Sequence, residues 1–153
     1  MAKRPTFSYE AALQLARGYN MTAKHLELVH QAEVKARKVR PIVETIGWVA
    51  STTVLQALAL ELLLKALVHR AGVGVPPTHH LVELFQLLPQ GQRDAADARY
   101  AARGALTERK TLAEVLAYCD DAFATWRYLH EKPSVECSMG EMMRAFAVLQ
   151  EGS

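Results

Sequence analysis

The feature that most restricts the fold of this chain is a long apolar stretch between residues 42 and 68. Its longest run without a charged residue, Thr45 to Leu60, has 16 residues and contains serine, threonine and glutamine side chains. Glu61 follows directly, and Lys65 lies four residues later. A membrane span needs about 20 predominantly apolar residues. We therefore interpret the stretch as too short and too polar for a span, and expect a fully buried core helix.

The rest of the 153-residue chain also predicts helices. No segment alternates apolar and polar residues over more than a few positions, and alanine and leucine dominate. Glycine and proline fall between the periodic segments, where helices end. A chain of this length normally forms one domain, and no long linker divides it. Residues 1–153 are therefore expected to form a single all-α bundle with five or more helices.

Capping residues and breaks in periodicity indicate the helix boundaries. Ser8 precedes a first helix that is expected to end at Gly18. Gly72 is expected to cap the apolar helix, and Thr111 and Ser138 begin capping boxes. The remaining predicted helices cover residues 21–40, 42–71, 79–88, 92–103, 111–131 and 138–150.

Charge is distributed unevenly along the chain. Residues 1–40 contain eight Lys/Arg against three Asp/Glu, whereas the remaining residues contain ten against thirteen. The densest basic block, Lys35 to Arg40, is either a solvated helix end or a phosphate-contacting patch. Two cysteines, Cys119 and Cys137, exclude a disulfide scaffold and favour a reducing, cytoplasmic location.

No motif in the sequence predicts a metal or another cofactor. Glu27 and His30 form one ExxH pair, whereas a di-iron bundle needs two such pairs and two further glutamates. HExxH, paired-cysteine, P-loop and dinucleotide motifs do not occur in the sequence. We therefore expect neither a metal site nor a cofactor.

Two polar pairs near the middle of the chain are candidates for a ligand site. Glu61 and Lys65 stand four residues apart, and they either form an ordinary helix pair at the edge of the core or face a groove or an interface. His79 and His80 follow a proline-containing loop, with Thr78 as the expected N-cap of the next helix. There the imidazoles either pack and cap, or contact an anion.

A third candidate group closes the helix predicted over residues 111–131. Arg127 lies between Trp126 and Tyr128, and His130 follows. Arginine and aromatic rings bind phosphate and stack on bases in nucleic-acid sites. They also fill the end of a helical bundle, so both interpretations stay open at the level of sequence.

In their order and spacing these segments resemble the HEPN superfamily of helical domains. The resemblance consists of an apolar helix with Glu61 and Lys65 four residues apart, a glycine-containing loop, a Thr-His-His-Leu helix start and an aromatic-Arg-Tyr ending. It covers about residues 50–131. His80 stands where many members of the superfamily have aspartate.

The resemblance implies a bundle built around four or five helices, usually dimeric, with a role involving RNA or a nucleotide in defence, toxin–antitoxin or RNA-processing systems. Active members of the superfamily cut RNA without a metal, using an arginine and a histidine separated by four to six residues. No such pair occurs in this chain, which indicates a catalytically degenerate protein. Arg127 and His130 are nevertheless candidates for an unconventional catalytic pair.

Three functions follow as hypotheses. The first is a homodimer that binds RNA, a nucleotide or a partner protein, such as the nucleotidyltransferase of a toxin–antitoxin pair. The second is a metal-independent endoribonuclease, and the third is a pure protein-interaction module, as in an antitoxin or immunity protein. We expect no membrane partner, and we expect the dimer to bury part of the helix over residues 52–71 or 112–131. The predicted ligand-binding residues are Glu61, Lys65, His79, His80, Arg127 and Tyr128.

Overall fold

The computed structural model describes residues 7–104, 108–109, 111–120 and 138–153. These ranges contain six α-helices and no strand, so the prediction of an all-α bundle is confirmed. In chain order the helices are α1 (Tyr9–Lys35), α2 (Ile42–Arg70), α3 (Leu81–Gln86), α4 (Gln90–Ala102), α5 (Leu112–Tyr118) and α6 (Met139–Gln150).

The two longest helices, α1 and α2, form an antiparallel hairpin. The buried side chains of α1 recur every three or four residues and are small: Ala12, Ala16, Asn20 and Ala23. Small side chains at a helix contact allow the two axes to approach closely. Of the other described helices, none contacts α1 as extensively as α2 does. The position of α1 in the bundle therefore depends mainly on this single helix pair.

Two hydrogen bonds fix the register of the hairpin. Gln56 Nε2 donates to Asn20 Oδ1 at 3.3 Å in the buried part of the interface. Nearer the tip, Trp48 Nε1 donates to the carbonyl oxygen of Leu26 at 3.0 Å, and the Trp48 ring stacks on His30 with centroids 3.9 Å apart. A shift of either helix along its axis would break both bonds and would deprive the buried side chains of Gln56 and Asn20 of this contact.

The prediction that the first helix ends at Gly18 is wrong, because α1 continues through this residue to Lys35. A glycine inside a helix costs about 1 kcal/mol relative to alanine, and the small residues that flank it compensate by packing onto α2. The helix predicted over residues 21–40 is the second part of α1 and ends five residues early. Arg37 adopts a left-handed conformation with φ of 53°, and Arg40 pairs with Glu33 across the turn.

The second half of α2 forms the centre of the core. Most of its side chains from Thr52 to Val68 are buried. α3 and α6 pack directly against α2, while α4 and α5 close the bundle by packing against α6, α3 and each other. A helix that is apolar around most of its circumference needs neighbours on several sides. The prediction of a fully buried core helix is therefore confirmed for the second half of α2 and wrong for its first turns, where Ile42, Val43 and Ile46 are at least half exposed.

By length and composition α2 is also able to cross a membrane. The prediction that the apolar stretch is too short for a membrane span is wrong, because the whole helix has 29 residues. However, 67% of its most apolar window is buried inside the protein, and a soluble core helix meets the same criterion. The helix is thus only weak evidence for a membrane.

The C-terminal end of α2 is a Schellman motif centred on Gly72, as the sequence predicts. Gly72 has φ of 76°, which is favourable for glycine. Its N–H donates to His69 O at 3.0 Å, and Val73 N–H donates to Val68 O at 3.2 Å. These two bonds turn the chain sharply and direct the following loop back across the end of α2.

Both predicted capping residues begin helices. Thr111 Oγ1 accepts from the N–H of Glu114 at 3.2 Å, and Glu114 Oε2 accepts from the N–H of Thr111 at 3.0 Å, which completes the capping box of α5. Ser138 Oγ accepts from the N–H of Glu141 at 3.3 Å at the start of α6. Two stretches that are distant in sequence therefore begin their helices through local hydrogen bonds.

Three other helix ends differ from the prediction. α3 begins at Leu81 instead of residue 79, and α4 begins at Gln90, directly after Pro89. α5 ends at Tyr118. The predicted continuation of this helix to residue 131 lies outside the described residues.

Tyr100 of α4 is completely buried in the core. Its hydroxyl has no hydrogen-bond partner among the described residues. Burial raises the pKa of Tyr100 above its ordinary value of 10.0, and the neighbouring Glu141 carboxylate raises it further. The core therefore holds a neutral phenol whose hydroxyl adds little to stability.

Replacing this phenol tests the description of the core. We expect Tyr100→Phe to leave the free energy of unfolding at pH 7 unchanged or to raise it by about 1 kcal/mol, because a buried unpaired hydroxyl costs about 1–3 kcal/mol of desolvation. Above about pH 10 the tyrosine of the unfolded chain ionises, whereas the folded phenol stays protonated. Wild-type stability should therefore decline with pH more steeply than that of the variant.

Urea denaturation between neutral and alkaline pH measures both effects. Tyr19→Phe is a suitable control, since Tyr19 is only half-buried. A loss of more than about 1 kcal/mol in Tyr100→Phe at pH 7 would mean that the hydroxyl makes a strong hydrogen bond.

Candidate functional site

The loop between α2 and α3 places His79 over the Glu61 carboxylate. Lys65 Nζ donates to Glu61 Oε1 at 2.7 Å from one turn further along α2. His79 Nδ1 lies 3.0 Å and 3.1 Å from the two carboxylate oxygens of Glu61. One carboxylate thus joins a lysine of the core helix to a histidine of the loop.

Burial decides between the two interpretations of the Glu61–Lys65 pair. The side chains are only 6% and 13% exposed respectively, so the pair is not a surface ion pair. The His79 side chain is 65% exposed, which places the carboxylate beneath a residue that reaches solvent. The pair is therefore the polar floor of a surface site.

His80 is held in a similar way by Asp120, which follows α5 directly. His80 Nδ1 lies 3.1 Å from Asp120 Oδ2, and Asp120 Oδ1 accepts from the N–H of Val82 at 3.0 Å. The carboxylate therefore caps the first turn of α3 from a distant part of the chain. The backbone N–H of Val82 at the start of α3 is thus occupied by the protein's own carboxylate and is not available to an external anion.

Thr78 does not cap α3 in the predicted way. Its Oγ1 donates to Glu83 Oε2 at 2.6 Å and accepts from the N–H of His80 at 3.2 Å. The N-cap position belongs to His80, without a capping bond from its side chain. Thr78 consequently shapes the loop that presents the histidines, and α3 starts later than predicted.

The two carboxylates orient both imidazole rings. In each ring Nδ1 faces a carboxylate, so the neutral tautomer that donates from Nδ1 is favoured and Nε2 is the basic nitrogen. The His80 side chain is 53% exposed, similar to that of His79. Rings fixed in this manner can donate to phosphate when protonated, or transfer a proton when neutral.

Sequence reasoning missed Asp120 as a member of the site. It lies 40 residues from His80, and no local spacing connects the two. Arg127, Tyr128 and His130 follow Asp120 in the chain but lie outside the described residues. Their predicted grouping with the histidines therefore stays a prediction, whereas the grouping of Glu61, Lys65 and His79 is a finding.

The lone ExxH pair has other contacts in the hairpin. Glu27 Oε1 accepts from Gln31 Nε2 at 2.9 Å, and His30 stacks on Trp48. Among the described residues, no cluster of three or more His, Cys, Asp or Glu side chains is arranged to hold a metal ion.

The Glu61–Lys65 pair generates a stability prediction. Lys65→Ala should lower the free energy of unfolding by about 2 kcal/mol or more, because it removes the cation from a buried carboxylate. For a chain of this size that corresponds to about 4 °C or more in melting temperature. Thermal denaturation at neutral pH measures the change, with Lys24→Ala at an exposed helical site as the control, expected to shift by about 0.5 kcal/mol or less. Equal, small shifts in both variants would contradict the buried pair.

No protein-family model, curated protein or solved structure matches this chain. The resemblance to the HEPN superfamily therefore depends on the sequence pattern alone.

Proposed function

We propose that the chain binds RNA or a nucleotide through phosphate contacts made by His79 and His80, as a catalytically degenerate HEPN-like protein. The observation that supports this most directly is that the imidazoles of two consecutive residues are each oriented by a carboxylate and are each more than half exposed. Two neighbouring donors that are fixed before a ligand arrives lose little entropy on binding. A surface site of this kind suits a small, strongly accepting group such as phosphate.

The chemistry of the surrounding residues adds to this proposal. Lys65 places a cation on the same Glu61 carboxylate that His79 contacts, although Glu61 compensates part of its charge. Arg127 and Tyr128 would add a planar phosphate donor and a ring for base stacking, if they join the histidines as the HEPN resemblance implies. Because Asp120 occupies the start of α3, recognition would depend on side chains and not on the helix backbone.

The HEPN resemblance also suggests a setting for such a protein. We propose a cytoplasmic role in defence, toxin–antitoxin or RNA-processing systems, in which a nucleotidyltransferase is the expected protein partner. The uneven charge of the chain, with eight Lys/Arg against three Asp/Glu in residues 1–40, would support the approach to an anionic ligand.

Substitution of the two histidines tests the binding site. His79→Gln and His80→Gln should each weaken binding of single-stranded RNA about tenfold at low salt, which corresponds to one charge-assisted hydrogen bond. Each change should also reduce the slope of log affinity against log salt by up to about one, since one phosphate contact is lost. Fluorescence anisotropy with a labelled oligonucleotide, and with a labelled nucleotide as second probe, measures both quantities.

His25→Gln is the matched control, because His25 lies exposed on α1, far along the chain from the site. This variant should bind as the wild type does. Melting curves of all three variants establish that the bundle is intact. If the wild type binds neither probe at low salt, the proposal fails and a protein-interaction module is the better description.

A second candidate function is a metal-independent endoribonuclease. It is favoured by the same carboxylate–imidazole pairs, because a histidine held by a carboxylate is the usual arrangement of a general base. Cleavage at a 2′-hydroxyl needs a base, an acid and a cation near the phosphate. His79 and His80 offer the first two, and Arg127 is the candidate for the third.

Cleavage of single-stranded RNA in the presence of EDTA tests this second function. If the protein is a nuclease, the reaction should proceed without metal and should fall at least about a hundredfold in His79→Gln, His80→Gln and Arg127→Ala. His130→Ala examines the other catalytic candidate from the sequence. Binding without any cleavage by the wild type would reject the nuclease and leave the binding function.

A further inference from the structure

The distal part of the α1–α2 hairpin carries an exposed apolar surface. Ten large apolar side chains are exposed in the described residues, and nine of them lie between Leu15 and Ile46; the tenth is Leu87. We define the hairpin surface by seven of these side chains: Met21, Leu28, Val34, Val39, Ile42, Val43 and Ile46. Concentrated apolar exposure of this kind marks an interaction site.

This surface continues the core face of α2. Ile42, Ile46, Val49 and Thr53 follow one another at four- and three-residue steps, which places them on one side of the helix. Along this line the side chains change from exposed, at Ile42 and Ile46, to half-buried and then to buried at Thr53. The buried residues Ala57, Leu60, Leu64 and Leu67 extend the same line.

The helices that cover α2 therefore leave its first turns uncovered. No residue of α2 before Thr52 is buried, and none of α1 after Ala23. About 15 Å of the hairpin thus extends beyond the core, at 1.5 Å per residue. The uncovered face is long, straight and apolar, and its complement is another helix or pair of helices with an apolar stripe.

We propose that a second copy of this chain covers the hairpin surface, so that two hairpins pair into an intermolecular four-helix bundle. The hairpin itself has a suitable shape, since Ile42 and Ile46 lie on one side of α2, and Met21 and Leu28, seven residues apart, lie on one side of α1. Seven side chains of this size provide on the order of 500 Å² of apolar area per copy. With the polar atoms between them, the contact approaches the roughly 800 Å² per partner of stable complexes.

The charge distribution favours an antiparallel arrangement of the two hairpins. Lys35, Arg37 and Lys38 lie at the hairpin tip, so a pairing of tip with tip would bring like charges together. In the antiparallel arrangement each basic tip faces the body of the other copy. Residues 41–153 contain ten Lys/Arg against thirteen Asp/Glu, which complements the tip.

The alternative occupant is an anionic lipid surface, which binds apolar residues flanked by cations. The apolar residues, however, extend as a stripe from the tip to the core, whereas insertion into a bilayer requires them to be gathered at the tip. The stripe is the pattern of a helix–helix contact. The pairing does not depend on the RNA-binding proposal, because none of its residues belongs to the histidine site.

Sedimentation velocity at micromolar concentration tests the pairing. We expect the wild type to sediment at twice the chain mass of 17.0 kDa and the double variant Ile42→Glu/Ile46→Glu to sediment as a monomer. Both positions are exposed, and glutamate is favourable in the first turns of a helix, so the fold of the monomer should be preserved. Leu87→Glu, a similar change at an exposed apolar residue outside the hairpin, should stay dimeric.

A wild type that is monomeric at all concentrations, or a double variant that stays dimeric, would overturn the proposal. If the double variant does not fold, the melting temperature of the wild type decides, because it rises with protein concentration only when association stabilises the fold. Flotation with phosphatidylcholine vesicles that contain phosphatidylglycerol provides the last comparison. A monomer that binds these vesicles through Ile42 and Ile46 would assign the surface to lipid and reject the dimer.

Discussion

The structure depends on covering the second half of α2, which is apolar around most of its circumference. Between Thr52 and Val68 this helix buries twelve residues, and each of the other described helices takes its place by packing on it or on a helix that does. The short helices α3 and α5 have too few residues to be stable alone. Their stability comes from the apolar area that they remove from water at the centre of the bundle.

The same burial explains why the polar site lies where it does. Glu61 lies on α2, the central helix of the core, and its side chain is buried there. A buried carboxylate requires charged or hydrogen-bonding partners. Lys65 and His79 supply them, and His79 in turn holds the loop across the end of α2. Asp120 links the start of α3 to the end of α5 through Val82 and His80. Polar contacts thus help to fix the loop, whose Val73 and Val75 also pack against the core, and they orient two histidines towards solvent.

The hairpin shows what happens to the apolar face of α2 where fewer helices pack against it. Where α2 has neighbours on several sides, its apolar face is buried, and where α1 alone of the described helices accompanies it, the face stays exposed. The small residues of α1 let it lie close to α2, but a single helix cannot cover more than one side of another. The uncovered stripe and the basic tip are consequences of a helix pair that is longer than the bundle around it.

Sequence by itself determined the all-α class, the presence of a core helix in the apolar stretch though not its exposed first turns, the Gly72 cap and the helix starts at Thr111 and Ser138. Each of these depends on residues within a few positions of one another, through periodicity or a local hydrogen bond. The wrong prediction of a helix end at Gly18 also has a local origin. The low helix propensity of glycine predicts an end there, whereas packing of α1 against α2 keeps the residue in the helix.

Only the tertiary structure decided which polar groups meet. Glu61 and Lys65 were recognised as a pair because they share a helix, but their burial and their contact with His79 depend on the path of the loop. Asp120 could not be assigned to His80 from sequence, since 40 residues separate them and the partner of a carboxylate follows from chain packing. The polar site is formed by contacts between residues that are distant in the chain. A local sequence pattern shows which polar residues are present, but not which of them lie together in the folded protein.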